Sequence, residues 1–324
     1  MHAGQRNQVA ICLVMATALL YSAIILFLLP LQLIAVPPCP RDCEPIDATD
    51  RDRIQFAQNL EFLETEYFLC GALGKGLDAF EPEYAKGGPP PIGCKQANLN
   101  HLTRRVIEEF GYQEIGHLRA IKRTVGGIPR PLIDISTENF AKLFDKAVGY
   151  CLDPPFDPYE DKVKYLLGVY AIPYVGLTGY VGANPCLKKF SSKRLVASLL
   201  GVEAGQDAVV RGWLYRIADE KVEPYNITVL AFTKAISRLR NKLGHCGIKD
   251  EGLMVPLELG AENRTTSNVL SADPNSLSYP RTPAEILRIV YGTGDEHRPG
   301  GFFPEGGNGR IAREYLSNAK LKVL

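Results

Sequence analysis

The stretch Leu102-Thr-Arg-Arg-Val-Ile-Glu-Glu-Phe-Gly-Tyr-Gln-Glu114-Ile-Gly-His117-Leu-Arg-Ala-Ile-Lys-Arg-Thr-Val125 decides how this chain is read. Val106, Phe110, Ile115, Leu118, Ile121 and Val125 recur at helical spacing and predict one long helix from about Leu102 to Val125. Glu114 and His117 are three residues apart, so a carboxylate and an imidazole face the same neighbour. They border the apolar stripe and lie away from the face of Arg104, Arg119, Lys122 and Arg123. Ionisable groups at the edge of a core have to be paired or metal-bound. Two readings follow. Either a Glu-His pair ties helices together, or this is half of a carboxylate-bridged metal site whose other ligands lie on other helices.

Partners for the pair occur on two further predicted helices. From about Arg53 to Leu73, with Asp47 or Thr49 as cap, Glu61 and Glu64 share the face of Ala57, Leu60 and Phe68. Glu66 falls off that face and is expected in solvent. Ser191 or Ser192 opens another helix running to about Val222, in which Glu203, Gln206 and Asp207 lie within about one turn. Between these, Lys162 to Gly182 reads as a long apolar helix without a carboxylate, which Pro173 must kink or split.

The rest is connection and covering. Ser136 caps a helix through Val148, and Gly-Pro-rich sequence from Gly71 to Gly93 forms a connector. Thr228 to Leu243 is an additional helix, with Ala231, Phe232, Ile236 and Leu239 inward and Arg238, Arg240 and Lys242 outward. Beyond Gly244 no long helical pattern survives. Thr282-Pro-Ala-Glu285 spells a capping box for a short helix through Tyr291. Asp295-Glu296-His297 reads either as metal ligands or as a packed loop.

With 324 residues and 46% hydrophobic content the chain can bury a large core. Its 37 basic and 36 acidic residues leave no electrostatic footprint for nucleic acid, so metals, small molecules or proteins are the expected partners. Val9 to Val36 is an apolar run after Arg6, expected to be a signal peptide cleaved near Ala35, with an uncleaved anchor as the competing reading. Only in the second case does the protein associate with a membrane. Either way the body meets the secretory lumen, with the extracellular space or apoplast as destination and the vacuole or a signal-anchored form as alternatives. Of eight cysteines Cys12 lies in this leader. The other seven are an odd number, so at least one thiol stays free or pairs between chains. Cys39 is expected to pair with Cys43 or with the body, while Cys70 and Cys186 read as small buried residues. Asn226-Ile-Thr228 and Asn263-Arg-Thr265 are glycosylation sequons.

Five blocks carry a resemblance: Asn59-Leu-Glu-Phe-Leu-Glu-Thr-Glu-Tyr-Phe68, Gly87-Gly-Pro-Pro-Pro-Ile-Gly93, Gly116-His-Leu-Arg-Ala-Ile121, Tyr174-Val-Gly-Leu-Thr-Gly-Tyr-Val-Gly-Ala-Asn184 and Gly201-Val-Glu-Ala-Gly-Gln-Asp207. From about Asp47 onward the chain resembles the ferritin-like superfamily, and more narrowly the plant desiccation-related proteins. The resemblance implies an all-α, ferritin-like four-helix bundle with an additional helix and a loop-rich C-terminal extension. It divides the chain into a leader, 1–36, a bundle, 47–223, and a helix with irregular extension, 224–324, packed on the bundle. It implies Glu61, Glu114, His117 and Glu203 as metal ligands, with Glu64, Gln206 and Asp207 as further candidates. The position of the third-helix bridging glutamate falls near Pro173 or Tyr174, and the fourth-helix histidine is replaced by Gln206. The expected cofactor is therefore at most one divalent ion, iron, manganese or zinc.

Two functions fit. One is a secreted stress protein with a degenerate metal site that protects or sequesters, and a homo-oligomer is compatible with it. The other is an enzyme whose bundle pocket, lined by Glu114, His117, Glu203, Tyr170 and Tyr174, carries out acid-base or mononuclear metal chemistry on a small molecule, with Glu114, His117 and Glu203 as catalytic candidates.

Overall fold

The computed structural model describes residues 43–321, so the expected leader and Cys39 lie outside the described residues. Helix α1, Asp50–Leu73, begins with a capping box in which Thr49 and Asp52 satisfy each other's backbone N–H groups, and it ends on left-handed Gly74. Helix α2, His101–Val125, is capped by Asn100, whose side chain accepts from Thr103 N at 2.9 Å, and stops at left-handed Gly126. Helix α3 spans Thr137–Val148. The long apolar stretch divides into α4, Lys162–Ala171, and α5, Pro173–Ala183, because Pro173 has no N–H to continue the ladder. Its length and composition would suit a membrane span, but 78% of its most apolar window is buried in the bundle core. Helix α6 is Phe190–Arg216. A short hairpin pairs β1, Lys221–Val222, with β2, Ile227–Thr228, before α7, Val229–Gly244, and α8, Pro283–Val290.

Packing makes α1 the central element. It lies chiefly against α2 and also meets α5 and α6, while α6 crosses α2, α4 and α5. These are the four helical rods of a bundle, one of them broken. Helices α3, α7 and α8 cover one side, joined by a final helix α9, Arg310–Leu321, that docks on α1. The sequence pattern shows no such last helix. Arg310 reaches Asp52 at 3.0 Å and Ile311 is fully buried, so α9 is held by contacts with α1.

Several expectations are corrected. Neither Ser191 nor Ser192 caps α6; Asp50 of α1 accepts from the Lys188 and Lys189 N–H groups at 2.9 and 2.8 Å instead. Helix α6 ends at Arg216 rather than Val222, since Val222 belongs to the hairpin. Glu66 is buried, not solvated. Helix α1 is covered on all sides, and the Glu66 carboxylate is held by the Arg130 guanidinium and the Leu77 N–H. Ala231 is exposed, whereas Arg240 points inward to Asp250 at 2.5 Å. Cys70 is buried but bonded to Cys94 across the Gly-Pro connector, and Cys43 pairs with Cys246. Cys151 and Cys186 are free thiols.

Candidate metal centre

Helices α1, α2 and α6 each contribute to one buried group. Glu61, Glu114, His117 and Glu203 offer ligand atoms that all lie within 4.8 Å of one another. His117 Nδ1 stands 3.0 Å from Glu61 Oε2 and 3.0 Å from Glu114 Oε2. The i, i+3 spacing on α2 brings Glu114 to the histidine, and the close α1–α2 pairing brings Glu61. Tyr180 of α5 donates its hydroxyl to the other Glu61 oxygen. Gln206 donates to Glu114 Oε1 at 2.8 Å and to Gln113 Oε1 at 3.0 Å.

Electrostatics here are unbalanced. Burial pushes the Glu203 and Glu64 carboxyls far above the usual range, and the neighbouring glutamates add to it. Burial also raises Glu114, to about 7, although His117 opposes the shift. Burial would lower His117, but Glu61 and Glu114 overcome it and push the imidazole up to about 11. Burial likewise works against ionised Glu61, yet the charge and hydrogen bonds of His117 hold its carboxyl below the ordinary value. One imidazolium thus serves four buried carboxyl groups.

The decisive observation is what lacks a partner. Both oxygens of Glu64, Oε2 of Glu203 and Oε1 of Gln206 are buried without a hydrogen bond among the described residues. Buried polar atoms are almost always satisfied, so unmet acceptors around an acidic cluster mark a place for a cation. One imidazole nitrogen and several carboxylate oxygens suit iron, manganese or zinc. The residues fit a divalent ion on both counts, held by Glu61, Glu114, His117 and Glu203.

Three site expectations change. The third rod faces the cluster through Gly176 and Tyr180, not through Pro173 or Tyr174. A Cβ at Gly176 would fall 2.9 Å from Glu64 Oε1 and 3.3 Å from Glu203 Oε2, so the missing side chain makes room for those two carboxylates. Tyr170 and Tyr174 do not line the cluster with Glu114, His117 and Glu203. Their rings stack on Arg211 and Arg240, and their hydroxyls meet Ser237 at 2.8 Å and Ser271 at 3.0 Å. Asp207 lies outside the cluster and faces Arg211 at 3.9 Å. Burial raises its carboxyl to about 6 despite that arginine.

Tyr180 and Gly176 are the contributors that the sequence pattern passed over. They lie i, i+4 on α5, which is the signal that one face of that helix meets the site. In the C-terminal extension Asp295, Glu296 and His297 also offer atoms within 4.8 Å. Both Glu296 oxygens are taken by Arg288, at 2.6 and 2.7 Å, and His297 Nδ1 bonds the Tyr315 carbonyl oxygen at 2.6 Å, so this is a packed loop.

Comparison with known proteins agrees with the helical-bundle fold. A model of the ferritin-like domain matches residues 49–216. The ferritin-like catalase Nec2 of Nesocodon mauritianus is 60% identical over 275 residues, which is 85% of this chain and 88% of that protein. Desiccation-related protein PCC13-62 of Craterostigma plantagineum is 52% identical over 267 residues, 82% of this chain and 85% of that protein. No solved structure matches the chain. The chain therefore belongs to the ferritin-like domain family, and within it to the desiccation-related ferritin-like proteins of plants.

Proposed function

We propose that this protein is a secreted, metal-dependent peroxide-removing enzyme that acts under desiccation or related stress. The observation that carries the reading is the set of unpartnered oxygens of Glu64, Glu203 and Gln206 around Glu61, Glu114 and His117. A purely structural cluster would satisfy them. The relative named a catalase supports peroxide as substrate, and the desiccation-related relative supports the setting.

In the reaction one hydrogen peroxide is reduced to water while another is oxidised, so that two peroxides give two waters and one dioxygen. Bound manganese or iron supplies the reversible electron exchange this requires. The chain supplies the rest. Glu61, Glu114, His117 and Glu203 would hold the ion, and the Tyr180 hydroxyl, hydrogen-bonded to Glu61, would orient that carboxylate. Burial and the neighbouring glutamates raise the Glu64 carboxyl well above the ordinary carboxylate range, which favours its protonated form beside the ligands. Apolar helices exclude bulk water.

The test is oxygen evolution from hydrogen peroxide by purified, manganese- or iron-loaded protein, beside Glu114→Ala/His117→Ala. Turnover that disappears in the double variant together with the metal is the expected result. Fully loaded protein that evolves no oxygen would sink the enzyme reading. It would leave sequestration of a metal ion, which the absence of a carboxylate on α5 and of an imidazole at Gln206 favours. Export is tested separately. Asn226 and Asn263 are exposed, and both are expected to carry glycans in the secreted protein; unmodified asparagines by mass spectrometry would argue against that route.

A further inference from the structure

A cavity of about 190 Å³ lies between α1, α5 and the start of α8. Phe56, Ala57, Leu60 and Ile286 give it an apolar wall, and Arg53 and Arg281 line it too. Both arginines are buried, at 9% and 2% exposure. Their terminal nitrogens are engaged: Arg53 Nη2 donates to the Ile46 carbonyl at 2.7 Å and Arg281 Nη1 to Thr178 Oγ1 at 3.2 Å. The Nε–H of each has no acceptor among the described residues.

Charge points the same way. Neighbouring Arg211 and Arg240 have Asp207 and Asp250 as ion-pair partners. Among the described residues Arg53 and Arg281 have hydrogen-bond acceptors but no carboxylate within ion-pair distance, while Asp250 and Glu285 act on the Arg281 charge from farther off. A buried guanidinium with a spare donor is suited to a carboxylate, and apolar walls ask for an organic body rather than a hydrated ion. An engineered apolar cavity of about 150 Å³ accepts benzene, so this one admits a ring with a short acid arm.

We propose that this cavity is a binding site for a small aromatic monocarboxylate, its ring against Phe56, Leu60 and Ile286 and its carboxylate received by Arg53 and Arg281. The site is separate from the metal centre but adjoins it. Leu60, Gly176 and Tyr180 form its inner wall, and Tyr180 and Gly176 touch the glutamates on their far side. Binding in the cavity requires no metal and goes beyond the peroxide reading.

Calorimetric titration of the full chain with cinnamate tests it, with cinnamamide and inorganic phosphate as comparators. One saturable site per chain is expected, about tenfold or more weaker for the uncharged amide, because a charge-assisted hydrogen bond contributes at least that factor. Phosphate should not compete. Arg53→Gln should weaken cinnamate about tenfold and leave cinnamamide unchanged. Ala57→Phe, at a partly buried position on the cavity wall, should fill the cavity and abolish binding while the chain stays folded by its melting transition. Glu114→Ala/His117→Ala removes metal ligands but no cavity wall, so it should bind cinnamate as the wild type does, whatever the peroxide assay returns. No binding to the wild type, equal affinity for acid and amide, displacement by phosphate, or undiminished binding in Ala57→Phe would each overturn the proposal.

Discussion

His117 Nδ1 lies 3.0 Å from Glu61 Oε2, and this contact between α2 and α1 supplies the one cationic partner hydrogen-bonded to the glutamates of the metal-centre cluster among the described residues. Removing one member of a buried ion pair leaves its partner's charge uncompensated, a loss of ~3 kcal/mol or more. His117→Ala is therefore expected to destabilise the metal-free protein by that order in denaturant unfolding. Glu203→Gln should do the opposite, stabilising metal-free protein while weakening the metal site, because it removes a repelling carboxyl. A Glu203→Gln variant that lost stability without metal would show that the cluster is structural.

The pH dependence follows from Glu114, raised to about 7 from an ordinary 4.5 mainly by burial. Between those values the folded chain keeps a proton that the unfolded chain has released. Metal-free stability should accordingly fall as pH rises from 4.5 through about 7, by up to ~3 kcal/mol. His117 has the same sign at higher pH, its contribution complete below 6.5 and lost through about 11. A divalent ion displaces these protons, so its affinity should climb with pH over the Glu114 window. Calorimetry at pH 5 and 7.5, in buffers of different ionisation enthalpy, checks both the slope and the released protons. Equal affinities at the two pH values would contradict the assignment.

Gly176 predicts a local effect. Its added Cβ would sit 2.9 Å from Glu64 Oε1, closer than real Cβ contacts come, and 3.3 Å from Glu203 Oε2. Gly176→Ala sits inside α5, where alanine favours the helix by ~1 kcal/mol, yet it should push the carboxylates aside. Metal affinity is expected to fall about tenfold or more while thermal stability changes little. Unaltered metal binding in this variant would mean that Glu64 and Glu203 move freely.

Away from the centre, Glu66 and Arg130 form a buried pair that Asp78 extends. Arg130→Ala should cost roughly 3–5 kcal/mol by stranding Glu66. Replacing both by apolar residues of similar size should recover most of that, which a double-mutant unfolding cycle measures. If Arg130→Ala proves nearly neutral, Glu66 has taken up a proton instead.

Helical periodicity and local capping determined much of this protein by themselves. Glu114 and His117 share a face because three residues make nearly one turn, Thr49, Asn100 and Thr282 cap because their acceptors lie within their own first turns, and Pro173 breaks its helix because it lacks an N–H. These are short-range effects, complete within a few residues of sequence. Only tertiary structure decided the rest. Asp50 anchors the two residues that lead into α6, Arg130 buries Glu66, and Arg240 turns inward to Asp250, each through a partner whose position depends on the packed bundle. The same holds for the glycine opposite Glu64. A register of carboxylates can be read along one helix, but the residue facing them across the bundle is set by how the broken rod packs after Pro173, and that packing gave the place to Gly176 rather than to Pro173 or Tyr174.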